Sequence, residues 1–105
     1  MINGIKITTD GHIEKFETDK ELHHYIPFWF AFVRKSREIL GAVDDCGLLK
    51  RLPYNEIGTK FLEYPNPIVG DVYLLKEGMT EEGPDIIAFD NDELNHLYDI
   101  LRCLI

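Results

Sequence analysis

The alternation of apolar and polar positions divides this chain into short extended runs and a few helical ones. Gly4–Thr9 alternates strictly, with Ile5 and Ile7 on one face. Asp10-Gly11 then supplies a hairpin turn, since both residue types accept positive φ. His12–Glu17 is the predicted return strand, but Ile13 and Phe16 are three apart, so a bulge or a frayed second strand is expected. Pro27–Arg34 places Phe28, Phe30 and Phe32 on one face and Trp29, Ala31 and Val33 on the other. With both faces apolar, this run is predicted as a central strand covered on both sides; the alternative is a partner or ligand surface centred on Trp29. Glu38–Asp44 follows as an antiparallel neighbour. Ile68–Leu75 puts Ile68, Val72 and Leu74 on one face and Val69 and Tyr73 on the other, and Gly70 marks a bulge or a close backbone approach. Ile86–Phe89 is a short edge strand.

Helical spacing appears in three places. Thr18-Asp19-Lys20-Glu21 fits a capping box, predicting a short helix to about Ile26 that Pro27 stops. Asn55 can cap a second helix over Glu56–Glu63, presenting Ile57, Phe61 and Leu62. Asp90, with Glu93 three residues on, caps a third, whose stripe is Leu94, Leu97, Tyr98, Leu101, Leu104 and Ile105. The stretch Ala42–Leu75 organises the rest: a strand leaves through an acidic turn, a helix-bearing excursion follows, and a strand returns. The fold class is therefore α+β, one domain over residues 1–105. Its mostly antiparallel sheet of about five strands is packed by the C-terminal helix and two short ones.

Charge changes this picture in one respect. The chain of 105 residues carries a net −8, and residues 77–101 hold eight acids and no Lys or Arg. Residues 1–76 hold eleven acids against ten bases. Glu77–Asp85, with its glycines and proline, is predicted as an acidic mobile loop. Such a segment disfavours direct binding to nucleic acid and suits a partner protein with a basic surface. A solvated loop and helix face is the plainer reading of the same residues. Two cysteines, Cys46 and Cys103, are too few for a disulfide framework, and no leader or membrane-length apolar run is visible. A cytoplasmic protein is expected, with self-association left open.

Candidate chemistry is sparse. Asp44-Asp45-Cys46-Gly47 is predicted as a turn with Gly47 at positive φ; neighbouring carboxylates diverge, and no nucleophile accompanies them. Cys46 lacks the electropositive setting of an activated cysteine. His23-His24 are adjacent and converge poorly on a metal, and His12 has no second ligand near it in sequence. No nucleotide, zinc or redox motif occurs, so no cofactor, metal or catalytic residue is predicted. The candidate binding residues are Glu77, Glu81, Glu82 and Asp85 on the acidic segment. To these we add Trp29, Lys50, Arg51, Tyr54 and Asn55 around a pocket between sheet and helices.

Gly47-Leu48-Leu49, Leu52-Pro53-Tyr54-Asn55 and Ile68-Val69-Gly70-Asp71, with the opening Asp-Gly hairpin and the closing acidic helix, carry a resemblance over nearly the whole chain. It is to an uncharacterised family of small proteins from phages, prophages and conjugative elements. The resemblance implies a mobile-element setting in a bacterial host and no particular activity. The expected function is a non-enzymatic accessory protein that binds and inhibits a host protein, such as a defence component. The alternatives are a binder of nucleotide-like small molecules and an enzyme built from scattered residues.

Overall fold

A computed structural model describes residues 2–19, 21–26 and 30–105. Its elements are β1 (Ile2–Ile7), β2 (Ile13–Thr18), α1 (Leu22–Tyr25), β3 (Phe30–Arg34), β4 (Ile39–Asp44), α2 (Glu56–Leu62), β5 (Val72–Thr80), β6 (Gly83–Ile87) and α3 (Asn91–Arg102). One antiparallel sheet runs β2-β1-β5-β4-β3. β6 pairs with the second half of β5, and Lys76 faces Ile39 on one side and Ile87 on the other. β6 therefore shares with β1 the edge of β5 opposite β4. Asn3 holds β1 to the end of β6: its Oδ1 accepts from Phe89 N at 2.7 Å and its Nδ2 donates to Phe89 O at 3.0 Å.

The two faces of the sheet are covered unequally. Ile5, Ile7, Val72 and Leu74 meet Ile57, Phe61 and Leu62 of α2 and Leu94, Leu97 and Leu101 of α3. Each such side chain, fully buried, contributes about 1.5–3 kcal/mol. The other face is smaller. There Ile26 and Tyr25 cover Ala42, Tyr73 and Leu75, and the Phe16 ring stacks on Tyr25 at 5.0 Å and meets Tyr73 edge-on at 5.7 Å. The α+β class and the antiparallel sheet follow the sequence pattern, as do the caps of the last two helices. Asn55 Oδ1 accepts from Gly58 N at 2.9 Å, and Asp90 and Glu93 form a reciprocal capping box.

Several expectations are corrected. The β1–β2 ladder runs in register from Ile2↔Thr18 to Ile7↔Ile13 without a bulge. Ile13 packs against the helix-side core and Phe16 against the opposite one, which removes the need for alternation on one face. Thr18 ends β2 opposite Ile2 and forms no capping box; α1 is a single turn whose N-cap, Glu21, makes no side-chain cap bond. β3 is an edge strand, paired with β4 alone among the described residues, so it is not central.

The acidic segment is also not a loop. Glu77 and Asp85 lie in the β5–β6 hairpin, with Glu81 and Glu82 at its turn. Gly78 makes room for Ile87, whose Cδ1 would stand 2.2 Å from an added Cβ. Pro84 sits on the edge strand, where its missing N–H is tolerated. The return strand starts at Val72, because Gly70, at φ +81°, turns the chain just before it. Trp29 lies outside the described residues.

Candidate functional site

β4 ends at Asp44, and the turn after it is built by local hydrogen bonds. Asp44 Oδ1 accepts from Cys46 N at 2.8 Å and its Oδ2 from Lys50 Nζ at 2.9 Å. Burial pushes this carboxyl up, but the Lys50 and Cys46 bonds outweigh it and hold the group below its ordinary value. Gly47 is not at positive φ; Arg51, at φ +56°, takes the left-handed position. Gly47 is required because a Cβ there would come within 2.8 Å of Val69 Cγ2. With the turn pressed onto Val69, the next two residues are driven outward. Leu48 is 73% exposed and Leu49 86%.

These leucines do not stand alone. They line a hollow of about 500 Å³ with Phe32, Val33, Val43 and Tyr64, beside the outer strand β3. Phe32, Leu48, Leu49 and Tyr64 are four of the eight large apolar residues exposed on the described surface. Contiguous apolar exposure of this kind marks interaction sites far more often than scattered single residues do. Sequence reasoning missed all four as a group. The available signal was a Leu-Leu pair in a turn, with no helical or strand period to bury it.

A second concavity, of about 470 Å³, lies between α2 and α3 on the helix face. Phe61, Phe89 and Leu97 line it with the more exposed Ile100, and Lys35, Lys60, Glu63 and Glu93 stand at its rim. Lys35 meets Glu63 at 3.2 Å and its amine lies 5.1 Å from the Phe61 ring centre. The rim lysines are thus already occupied, Lys60 by Glu56 at 3.1 Å.

The candidate residues are distributed differently from the expectation. Asn55 is fully buried and unavailable to a ligand. Its Nδ2 donates to Ile7 O and Gly70 O, both at 2.9 Å, and its Oδ1 is taken by the α2 cap. Tyr54 is half-exposed and bridges Val69 through the backbone. Lys50 is bound to Asp44, and Arg51 is exposed beside it. Of the acids, Glu77 pairs with Arg34 at 2.8 Å, while Glu81, Glu82 and Asp85 remain exposed on the hairpin. Glu93, at the start of α3, is bound by Lys76 at 2.7 Å; that hydrogen bond holds its carboxyl below the ordinary value and raises the Lys76 amine. The eight acids are therefore split between a hairpin tip and a helix, with two of them neutralised.

Chemically, the described residues hold no group of three His, Cys, Asp or Glu able to bind a metal ion, and both cysteines are exposed and unpaired with each other. No described helix is long and apolar enough to cross a membrane. No family model, curated protein or solved structure matches the chain.

Proposed function

We propose that this protein works by binding another protein, without chemistry of its own. In the mobile-element setting that its sequence resemblance implies, the bound protein is a host component whose activity it blocks. The observation that carries the reading is the convergence of Phe32, Leu48, Leu49 and Tyr64 on one hollow beside the outer strand. Leaving the largely exposed Leu48 and Leu49 in water forgoes about 1.5–3 kcal/mol each of burial, which a partner can recover. The acidic hairpin adds net charge that steers encounter with basic surfaces.

The test is capture from bacterial lysate with the intact protein and with the Leu48→Asp/Leu49→Asp double variant. One recurrent partner should be retained by the first and lost by the second, and its purified activity should fall on adding the intact protein. Equal capture by both proteins would refute the surface. A partner with unchanged activity would refute inhibition. A second reading, capture of a small apolar molecule, draws support from the groove between α2 and α3. It requires a ligand-dependent rise in melting temperature that Ile100→Asp, at an exposed residue of the groove, abolishes.

A further inference from the structure

The groove between α2 and α3 has an apolar floor, formed by Ile39, Phe61, Phe89, Leu97 and Leu104. Its volume of about 470 Å³ falls within the range of about 300–1,000 Å³ in which small-molecule sites occur. Its mouth is charged, and both lysines there are engaged by carboxylates, Lys35 by Glu63 at 3.2 Å and Lys60 by Glu56 at 3.1 Å. Glu93 is held in turn by Lys76 at 2.7 Å. Glu38 also lines the groove and has no ion-pair partner among the described residues. The lining residues and their ion partners therefore comprise four glutamates against three lysines, a net of −1 with His96 neutral. Two further charges nearby cancel each other: Arg37 adjoins Glu38 in sequence, and Asp90 acts on Lys76. The Lys76 amine is raised first by its hydrogen bond to Glu93 and further by the Glu38 and Asp90 carboxylates.

The same mouth shows how a cation is held there. The Lys35 amine lies 5.1 Å from the centre of the Phe61 ring while it meets the Glu63 carboxylate. An aromatic face beside a carboxylate recognises an ammonium carried on an apolar stem. Lys35 is itself such a group, so the chain supplies a stand-in for a ligand's head. The Glu63 side chain is 78% exposed, so this pair contributes little to stability and is readily exchanged.

We infer that this groove binds a small organic cation, its apolar body against Phe89 and Leu97 and its ammonium replacing the Lys35 amine at the Phe61 ring and the Glu63 carboxylate. Lys35, at the rim, is released to water. Glu38 supplies a second carboxylate, the one that no lysine offsets. An anionic amphiphile is a poorer occupant, because it must detach a lysine from its glutamate and then face that carboxylate along with Glu38. A neutral apolar molecule fills the floor and leaves the mouth unused. This inference rests on the reading of the groove as a small-molecule site and is independent of the Leu48–Leu49 surface.

The experiment titrates the full chain with n-octylamine, 1-octanol and octanoate, probes of equal chain length, by calorimetry, while NMR follows the methyl groups of Ile39, Leu97 and Leu104. Octylamine should bind about tenfold more tightly than octanoate, with octanol between them and the gap narrowing at high salt. The methyl signals of all three residues should shift. Lys35→Met keeps an apolar stem and removes the resident ammonium, so it should tighten octylamine several-fold and leave octanol unchanged. Glu38→Gln/Glu63→Gln should bring octylamine down to the level of octanol. Octanoate binding as tightly as octylamine, or octylamine weakened by Lys35→Met, would overturn the choice of a cation and leave the groove as a small-molecule site. Octylamine that shifts methyl groups elsewhere and not these would overturn the inference as well. No binding by any of the probes refutes the groove reading beneath it.

Discussion

The junction around Asn55 and the edge around Leu48–Leu49 lie within a few residues of each other in sequence, yet they dispose of their side chains in opposite ways. At the junction every valence is used. One carboxamide ties β1 through Ile7 O, the approach to β5 through Gly70 O, and the first turn of α2 through Gly58 N. No buried side-chain polar atom of the described residues lacks a partner. At the edge, by contrast, two leucines face water and β3 has a neighbour on only one side among the described residues. The difference separates residues consumed by folding from residues left over for association.

The strongest challenge to that division is Asn55→Ala. It strands two buried carbonyls and removes a helix cap, so a loss of about 3 kcal/mol is expected. The melting temperature should fall by on the order of 10 °C or more, read by calorimetry or circular dichroism. A loss below about 1 kcal/mol would mean that the junction is not the tie described here.

Gly70→Ala should come next, at about 1–3 kcal/mol. Its φ of +81° disfavours any side chain, and Leu52 Cδ1 would lie 2.8 Å from the new Cβ. On the other side of the comparison, Leu48→Asp/Leu49→Asp should leave stability within about 0.5 kcal/mol of the parent, because neither side chain is buried. A large loss in denaturant titration would show that the leucines belong to the fold after all.

Acid stability sharpens the picture at lower amplitude. Asp44 and Glu93 both have carboxyls held below their ordinary values. Their contribution is therefore present above the carboxylate range of the unfolded chain and lost as pH falls through the lowered values. Asp44→Asn with Glu93→Gln should flatten the acid limb of the stability profile and leave the limb above neutrality unchanged. The smallest effect is expected at the first turn. There Asp10, hydrogen-bonded by Thr8 and His12, is lowered to about 2, and the His12 imidazole is raised by the same carboxylate. An NMR titration should find His12 above its ordinary value and returned towards it by Asp10→Asn.

How far these regions were legible in sequence differs for the same physical reason. Asn55 was recognisable as a helix cap, since an Asn before a periodic apolar run has a local partner. That the same amide also serves Ile7 and Gly70 was not, because those carbonyls come from distant strands. The part of the β5–β6 hairpin from Glu77 to Asp85 was hidden because glycine, proline and acids usually mean a loop; the packing of Ile87 over Gly78 accounts for the glycine there. The edge position of β3 was concealed by its apolar character on both faces, which in isolation looks the same as a central strand.

The sequence by itself determined the alternation that built the strands, the Asp-Gly turn, the caps at Asn55 and Asp90, and the concentration of acid after residue 76. Each of these acts over a few bonds or is a plain count. Tertiary structure decided which strands became edges, which polar groups were spent on the core, that the acids divide between hairpin and helix, and that Leu48 and Leu49 have nothing to cover them. Those outcomes depend on which distant segments meet, and no local preference encodes the meeting.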